Sequence, residues 1–400
     1  MMNKNTAFKS LTNLVFLCWS NTGLCVEYQY DRNDSIQIHG FAAQSFLKST
    51  TNDFFGDSED GSWDFRELGI NGLWRPLPRL QLSLQFVARK AGKTDDGKLR
   101  VDYIFADCKL FNSNAVNSGL RLGRVTNPYG FYNETRDIVA TRPSILLPQS
   151  VYFDANRNFA LSSNGVQFYH EHSGKSGDYL FQFGVFEPRT EDPDFEPAIF
   201  LQNEPGKLEG TTSWMGRLLY EYDFGRVRLG LTTASINVDY DPAPGDPIRP
   251  GAFHFHPYIA SVQYNRERWS LTAEYARRST HLDRFGAPRD IDFTGNSYFI
   301  QGIYRLTPRW EVLLRYDSLT WNDDDPEGRD FEAQTGLPNH YRFARDWTFG
   351  VRWDLAQNVM VRAEWHRVSG TGWLSLLENP PATETSQRWN LLAFSAAIKF

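Results

Sequence analysis

Polar side chains recur at every second position along much of this 400-residue chain, and most of these rows include charged residues that could act together on a solute. For example, the even-numbered positions of one segment include Thr272, Glu274 and Arg278, whereas its odd-numbered positions include the apolar Leu271 and Tyr275. Guanidinium groups stay charged at physiological pH, so rows of arginines and carboxylates can hold a fixed field across water. For any single residue, pairwise neutralisation along the same surface is an equally strong interpretation. The candidates are Arg121, Arg217, Arg228, Arg278, Arg305, Arg315, Arg352, Arg362, Glu274, Glu311, Asp317 and Glu364.

Two short motifs contain metal-ligating residue types, and neither has the spacing of a known metal site. His254 and His256 are two positions apart in a segment predicted to be a loop, which is a weak zinc signal. The run Asp323-Asp324-Asp325 lacks the glutamate of a calcium loop, so an exposed acidic loop tip is the better interpretation. No Ser and His pair is placed for hydrolysis. The sequence therefore predicts no enzyme, no metal and no cofactor.

The elements that must position the charged residues are β-strands. Apolar and polar residues alternate through most of the chain, as in 80–89 and 347–355, and a period of two is the strand period. A soluble sandwich would show the same alternation. The charge carried by the polar face of almost every strand, together with an apparent export signal, favours a membrane barrel instead.

The composition supports this interpretation and excludes several classes. No run of about 18 apolar residues follows the N-terminus, so transmembrane helices are excluded. Aromatic residues make up 15% of the chain, which suits girdles at two lipid interfaces. The net charge of -6 argues against a nucleic-acid binder, and 3 cysteines give no disulfide framework.

Residues 1–25 have the features of a signal peptide. Lys4 and Lys9 precede a short apolar stretch from residue 11 to residue 19, which is too short to cross a bilayer as a helix. Gly23 and Cys25 fit the small-residue requirement for cleavage, so residues 26–400 form the mature chain. Lipidation of Cys25 is the weaker alternative, because the preceding Leu24 is bulky.

Connections between the predicted strands alternate between short turns and longer segments, which is a second feature of transmembrane barrels. Counting the segments gives sixteen strands, from about residue 35 to residue 400. An even number lets the first and last strands pair, and a barrel of this size leaves an aqueous lumen. The longer segments are 48–63, 90–99, 126–163, 188–212, 239–256, 280–294, 321–344 and 369–386.

The third of these segments, 126–163, is the longest and has no period-two pattern. Structureless segments of this length are usually functional. Its apolar stretches can pack on a barrel wall, while its charged residues can point into a channel and form a constriction. The predicted constriction residues are Tyr129, Glu134, Arg136, Asp137, Arg142, Asp154 and Arg157.

The whole arrangement resembles that of bacterial general porins, with sixteen strands, a long third external segment and a terminal Phe400. The resemblance implies that segment 126–163 folds back into the barrel, and it allows a homotrimer. The run GRVTNPYG at 123–130 is similar to the segment G-R-x-x-x-P-x-G of phosphate-selective porin-like proteins. The C-terminal Phe400 resembles the signal read by the outer-membrane assembly machinery. A last strand that simply ends in an apolar residue is the alternative.

The sequence thus predicts an all-β, transmembrane antiparallel barrel in the outer membrane of a Gram-negative bacterium. The expected partners are outer-membrane lipid, the assembly machinery and small hydrophilic or charged solutes, but no nucleic acid. The near balance of charges predicts weak selectivity with a lean toward anions. An outer-membrane enzyme or a purely structural barrel is a weaker alternative. The main alternative is a sugar-specific channel, because aromatic residues of the third segment could form a stacking path or else fasten it to the wall: Tyr129, Phe131, Tyr132, Tyr152, Phe153 and Phe159.

Overall fold

The computed structural model describes residues 26–31, 34–286, 289–381 and 383–400, so the predicted signal peptide at residues 1–25 lies outside the described residues. None of the helices in this part of the chain is long and apolar enough to cross a membrane. The helices are α1 (Arg157–Leu161), α2 (Phe195–Phe200) and α3 (Arg329–Thr335). The strands are β1 (Val26–Asp31), β2 (Asp34–Ser49), β3 (Ser62–Leu77), β4 (Leu80–Ala91), β5 (Asp95–Asn112), β6 (Val116–Thr126), β7 (Ser162–Gly174), β8 (Gly177–Glu187), β9 (Lys207–Gly210), β10 (Ser213–Tyr222), β11 (Val227–Asp241), β12 (Gly251–Asn265), β13 (Trp269–Asp283), β14 (Ile291–Thr307), β15 (Trp310–Thr320), β16 (Phe343–Ala356), β17 (Val359–Gly370) and β18 (Arg388–Lys399).

Sixteen of these strands, β2 to β8 and β10 to β18, form one antiparallel barrel. Strand β18 pairs with β2 from Leu391↔Ser49 to Lys399↔Phe41, which closes the sheet. Beyond this ladder, Gly40 and Phe400 exchange two backbone hydrogen bonds of 2.9 Å. The short strand β1 pairs with the start of β2, and β9 continues the line of β10 along β11. The predicted sixteen-strand antiparallel barrel is confirmed.

The outer surface of the barrel is apolar and carries two aromatic belts. In one belt the ring centroids of Tyr316 and Trp347 lie 4.8 Å apart. In the other belt the rings of Trp310 and Trp353 are stacked, with their centroids 5.0 Å apart. Phe349 lies between the two tryptophans of β16 and is 48% exposed. A continuous exposed apolar band between aromatic belts is the surface of a barrel that spans a bilayer.

The two ends of the barrel differ in their connections. At one end, here called the turn end, seven connections of two to four residues join neighbouring strands. At the other, the loop end, most connections are longer. The prediction of a long connection at residues 90–99 is wrong, because the pairing of β4 with β5 extends to Ala91↔Asp95. Arg100 forms ion pairs with Asp95 at 3.0 Å and Asp96 at 2.8 Å within β5, so acidic residues that suggest a loop belong to a strand.

The interior is apolar near the loop end, which the alternation of residues did not predict. Leu47, Phe65 and Leu391 point inward from β2, β3 and β18 and are buried. They pack against Phe54 and Trp373, which belong to the connections after β2 and β17. The external connections therefore fold over the barrel mouth and cover an apolar inner rim.

Candidate functional site

The connection between β6 and β7, residues 127–161, runs through the inside of the barrel and is called the crossing loop here. Its ends are adjacent in the sheet, because Thr126 pairs with Ser162. Its backbone donates hydrogen bonds to carboxylates on widely separated strands. Phe131 N donates to Glu274 Oε1 of β13 at 2.9 Å, and Ser150 N donates to Asp317 Oδ2 of β15 at 3.2 Å. The loop therefore contacts several sides of the inner wall.

A buried cluster of five charges anchors the loop to β3 and β4. Arg142 binds both carboxylate oxygens of Glu67, and Arg89 lies 3.7 Å from the same glutamate. Arg89 also pairs with Asp154 at 2.9 Å, and Asp154 lies 3.3 Å from Arg136. The side chains of all five residues are at most 10% exposed. Removing one partner of such a cluster leaves a buried charge uncompensated, which is strongly destabilising.

A second anchor holds the middle of the loop to β15 and β17. Arg315 donates to Ser144 Oγ at 2.9 Å and to the Leu146 carbonyl at 3.1 Å. Arg362 donates to the carbonyls of Val139 at 3.2 Å and Ser144 at 3.3 Å. These guanidinium groups satisfy backbone carbonyls that have no regular secondary structure to pair with.

The third anchor lies on β8, β10 and β13. Arg217 forms an ion pair with Glu134 and donates to the Gly130 carbonyl at 2.8 Å. Gln182 donates to Glu134 at 3.1 Å, and the Tyr152 hydroxyl donates to Glu274. The structure thus brings the predicted residues of the loop and of the wall together as paired contacts.

The predicted constriction residues are more buried than side chains that line a wide bore. Tyr129, Arg136, Asp137 and Arg157 are buried, whereas the side chain of Glu134 is 27% exposed. Arg157 pairs with Asp137, and burial lowers the pKa of Arg157 to about 10, so it remains protonated at neutral pH. Most of these residues therefore hold the loop in place, a role that their charge alone does not distinguish from pointing into water.

The wall residues nearest the turn end also face inward and also occur as pairs. Arg121 lies 3.3 Å from Asp107, and Arg228 lies 2.6 Å from Glu221. Glu311 lies between two arginines, Arg305 at 3.1 Å and Arg352 at 3.8 Å. Apart from Asp107, which is buried, these side chains are partly exposed, so the turn end of the barrel has a polar inner surface that water can reach. Glu221 also has the inward parity in the sequence, whereas Asp107 is not among the residues predicted to face inward.

The tyrosines of the crossing loop fasten it to the wall. Tyr132 lies 5.6 Å from Tyr152 and 6.2 Å from Phe299 of β14, ring centroid to ring centroid. Burial raises the pKa of Tyr129 and Tyr132 to about 12. Tyr129, Phe153 and Phe159 line a cavity at the loop end. The aromatic residues proposed as a sugar path therefore belong partly to the wall contacts and partly to the lining of this cavity.

The weak metal motifs have ordinary structural partners. His254 lies in β12, not in a loop as predicted, and its Nδ1 lies 2.7 Å from Asn237 Oδ1. Asp325 accepts a hydrogen bond of 2.9 Å from Phe331 N at the start of α3. Among the described residues, no group of three or more His, Cys, Asp or Glu side chains is arranged to hold a metal ion.

Two buried aspartates should make the docking of the connection 188–212 against its neighbouring loops more stable at acidic pH. Asp192 accepts a hydrogen bond of 3.0 Å from Phe159 N, and Asp194 accepts one from Ser375. Burial raises the pKa of each to about 6. A raised carboxyl pKa stabilises the docked state at low pH, and this contribution is lost as the pH rises through about 6.

Hydrogen exchange of residues 188–212, corrected for the intrinsic exchange rate, should therefore show about tenfold greater protection at pH 5 than at pH 7 for each aspartate. The double variant Asp192→Asn, Asp194→Asn should lose most of this pH dependence. Unchanged pH dependence in the double variant would contradict the assignment.

Comparison with known proteins identifies the fold. No family model matches the sequence. No curated protein sequence matches it either. Among solved structures, an anion-selective porin from Comamonas acidovorans matches with a TM-score of 0.59 and 12% identity, over 92% of this chain and 100% of that chain. The chain has the bacterial outer-membrane porin fold.

Other solved structures share this porin fold. The outer-membrane channel DcaP of Acinetobacter baumannii matches with a TM-score of 0.57 and 12% identity, over 93% of this chain and 99% of that one. OmpF of Salmonella typhi, in complex with daunomycin, matches with a TM-score of 0.57 and 14% identity, over 94% and 100%. At these identities the likeness establishes the porin fold and not the solute.

Proposed function

We propose that this protein is an outer-membrane channel of a Gram-negative bacterium through which small hydrophilic solutes diffuse. The observation that supports this most is the closed sixteen-strand barrel with an apolar outer face and a polar inner face at the turn end. The crossing loop narrows the barrel at mid-height. Solutes move down their gradients, with no energy input, no cofactor and no covalent step.

The proposed channel has weak selectivity with a lean toward anions. Each predicted wall arginine near the turn end, such as Arg121 and Arg228, has a carboxylate partner, so the local fields largely cancel. Glu311 compensates two arginines, Arg305 and Arg352, and Arg352 has a further partner in Asp354 at 2.9 Å. Among the described residues, Arg305 has no carboxylate partner besides Glu311, so the charge balance of this sector depends most on that glutamate.

Replacing Glu311 with glutamine should therefore make the channel more anion-selective. The change leaves Arg305 without its carboxylate and retains the shape of the side chain. In a salt gradient, the ratio of chloride to potassium permeability should rise by about twofold or more relative to wild type. The matched control is Glu327→Gln in the connection after β15, where the carboxylate pairs with the partly exposed Arg345. A reversal potential that is unchanged by Glu311→Gln would contradict the placement of this sector along the ion path.

For assembly, we propose a homotrimer and a role of Phe400 as the signal for the outer-membrane assembly machinery. One matching structure, OmpT of Vibrio cholerae, is described as a trimer form. Phe400 pairs with Gly40 at the seam between β18 and β2 and is 38% exposed. A residue at the seam is well placed to be bound before the barrel closes.

Solute diffusion is tested by the swelling of proteoliposomes in isotonic sugar solutions. We expect rapid swelling in arabinose and slow swelling in the larger raffinose, since the crossing loop restricts the bore. Liposomes without protein are the control. Folded, inserted protein that leaves the arabinose permeability at the control level would contradict the proposed function.

A further inference from the structure

A large apolar cavity lies at the loop end of the barrel, between the crossing loop, α2, α3 and the inner faces of β12 to β14. Its volume is about 790 Å³, within the range of roughly 300–1,000 Å³ typical of sites for organic ligands. Gln334 and Thr335 of α3, which are exposed, also belong to its lining. Its apolar lining includes Phe195, Phe200, Phe253, Phe293, Trp321 and Phe331.

Arg278 of β13 forms part of the inner lining of this cavity, and it differs from the other buried arginines. It is 4% exposed, and its guanidinium carbon lies 5.0 Å from the ring centroid of Phe153 and 5.4 Å from that of Trp321. Its Nε and Nη2 atoms are buried and have no hydrogen-bond partner in the described chain. Arg315 and Arg362, in contrast, each donate several hydrogen bonds to the crossing loop.

Asp317 and Asp323, the acidic residues that act on Arg278 electrostatically, each accept a hydrogen bond from another group. Asp317 accepts from Ser150 N at 3.2 Å, and Asp323 accepts from Asn296. Among the described residues, no carboxylate lies within the 4.0 Å ion-pair distance of Arg278. Burying an unpaired cation in apolar surroundings is unfavourable, and an anionic group beside it would remove that cost.

The mouth of the cavity carries mixed charge and so does not select an anion by itself. Asp324, Asp325 and Asp330 belong to the connection after β15 and contribute to the lining. Arg342 of the same connection lies over Phe293 at 5.4 Å and Phe331 at 5.0 Å. The distinct recognition element is therefore the buried guanidinium at Arg278, reached past aromatic side chains.

We propose that this cavity binds a small organic carboxylate with an apolar ring or chain. The carboxylate pairs with Arg278, whose planar guanidinium lies against the adjoining rings of Phe153 and Trp321 and can offer two parallel N–H donors. The apolar part of the ligand lies against the phenylalanines of α2 and β12. This binding goes beyond the proposed diffusion function, because it requires no flow of ions through the barrel.

Other occupants satisfy only half of the site. A neutral hydrophobic molecule would fill the aromatic surface and leave the charge of Arg278 unpaired. A free inorganic anion would pair with Arg278 and leave the aromatic lining without contacts. A carboxylate on an apolar body satisfies both parts at once, which is the pattern of an apolar site with a few precisely placed polar groups.

Calorimetry with two ligands of almost identical shape tests the proposal. The protein is reconstituted in lipid nanodiscs, because detergent tails would compete for an apolar cavity. The ligands are 4-phenylbutanoate and its neutral analogue 4-phenylbutanamide, each titrated also into empty nanodiscs. We expect the wild-type protein to bind the carboxylate about tenfold more tightly than the amide, or better.

Two single substitutions on β13 distinguish the site from general adsorption. Arg278→Gln should abolish the preference for the carboxylate, whereas Arg277→Gln should retain it. Arg277 is the preceding residue of the same strand and is exposed on the opposite face. Equal binding of the two ligands to wild type, no heat above that of empty nanodiscs, or a preference that survives Arg278→Gln would each overturn the proposal.

Two further variants keep the test decisive if Arg278→Gln does not fold. Arg278→Lys keeps the charge but loses the paired donors, so its preference for the carboxylate should be intermediate. Phe331→Ala in α3 removes apolar lining without touching the barrel wall and should weaken both ligands by a similar factor. An unaltered preference in Arg278→Lys together with unaltered affinities in Phe331→Ala would overturn the proposal. Conductance of the same samples reports separately on the channel function.

Discussion

Removal of the crossing loop should raise the single-channel conductance several-fold. The loop contacts inner faces on β3, β10, β13, β15 and β17, so it occupies cross-section that a sixteen-strand barrel otherwise leaves to water. The two ends of the loop can be joined by a short turn, because Thr126 and Ser162 are direct partners in the sheet. Residues 127–161 can therefore be replaced by the two-residue turn Asn-Gly without a change of register.

The matched control for this excision is the connection 242–250 between β11 and β12, which also joins paired residues, Tyr240 and Gly251. Its replacement by a short turn should leave the conductance close to that of wild type. Both proteins are recorded in planar bilayers under symmetric salt. If excision of 127–161 gives the wild-type conductance, the loop does not narrow the path.

The second large effect is expected from Arg315→Met. Arg315 is 1% exposed, and it donates to Ser144 and Leu146 of the loop and to Gln301 and Thr348 of the wall. Methionine cannot donate a hydrogen bond, so these four buried acceptors lose their partner. The free energy of unfolding should fall by about 3–5 kcal/mol, because each unsatisfied buried acceptor costs about 1 kcal/mol or more, and the open channel should flicker as the loop loosens.

Urea unfolding in lipid vesicles, followed by tryptophan fluorescence, measures the loss of stability. The matched control is Arg305→Met on the neighbouring strand β14, where the arginine is 54% exposed and, among the described residues, forms an ion pair with Glu311 alone. This exposed pair should contribute less than about 1 kcal/mol. Equal unfolding free energies for the two variants would contradict the anchoring role of Arg315.

The strands could be predicted from the sequence because each one has a lipid face. Lipid tolerates few charges at mid-bilayer, so the alternation seen in 80–89 and 347–355 is strict, and it locates the strands and their parity. The alternation did not locate the strands at 90–99, because Asp95 and Asp96 are residue types typical of loops. Their ion pairs with Arg100 stabilise a strand that extends beyond the membrane.

The site was only half predictable. Parity placed Arg217, Arg315 and Arg362 on the inner face, but it carries no information on what lies inside the barrel. Because the crossing loop fills that space, these arginines bind the loop instead of lining open water. The unpaired state of Arg278 depends on the positions of Asp317 and Asp323, which are distant in sequence or on other strands, so no local pattern could reveal it.

Single-channel recording of the purified wild-type protein in a planar bilayer decides whether ions pass through the barrel past the crossing loop. We predict discrete conductance steps, with an open level below that of the variant that lacks residues 127–161. Wild-type protein that is folded and inserted, yet gives no steps under voltages at which the excised variant conducts, would contradict a diffusion channel and indicate a closed barrel.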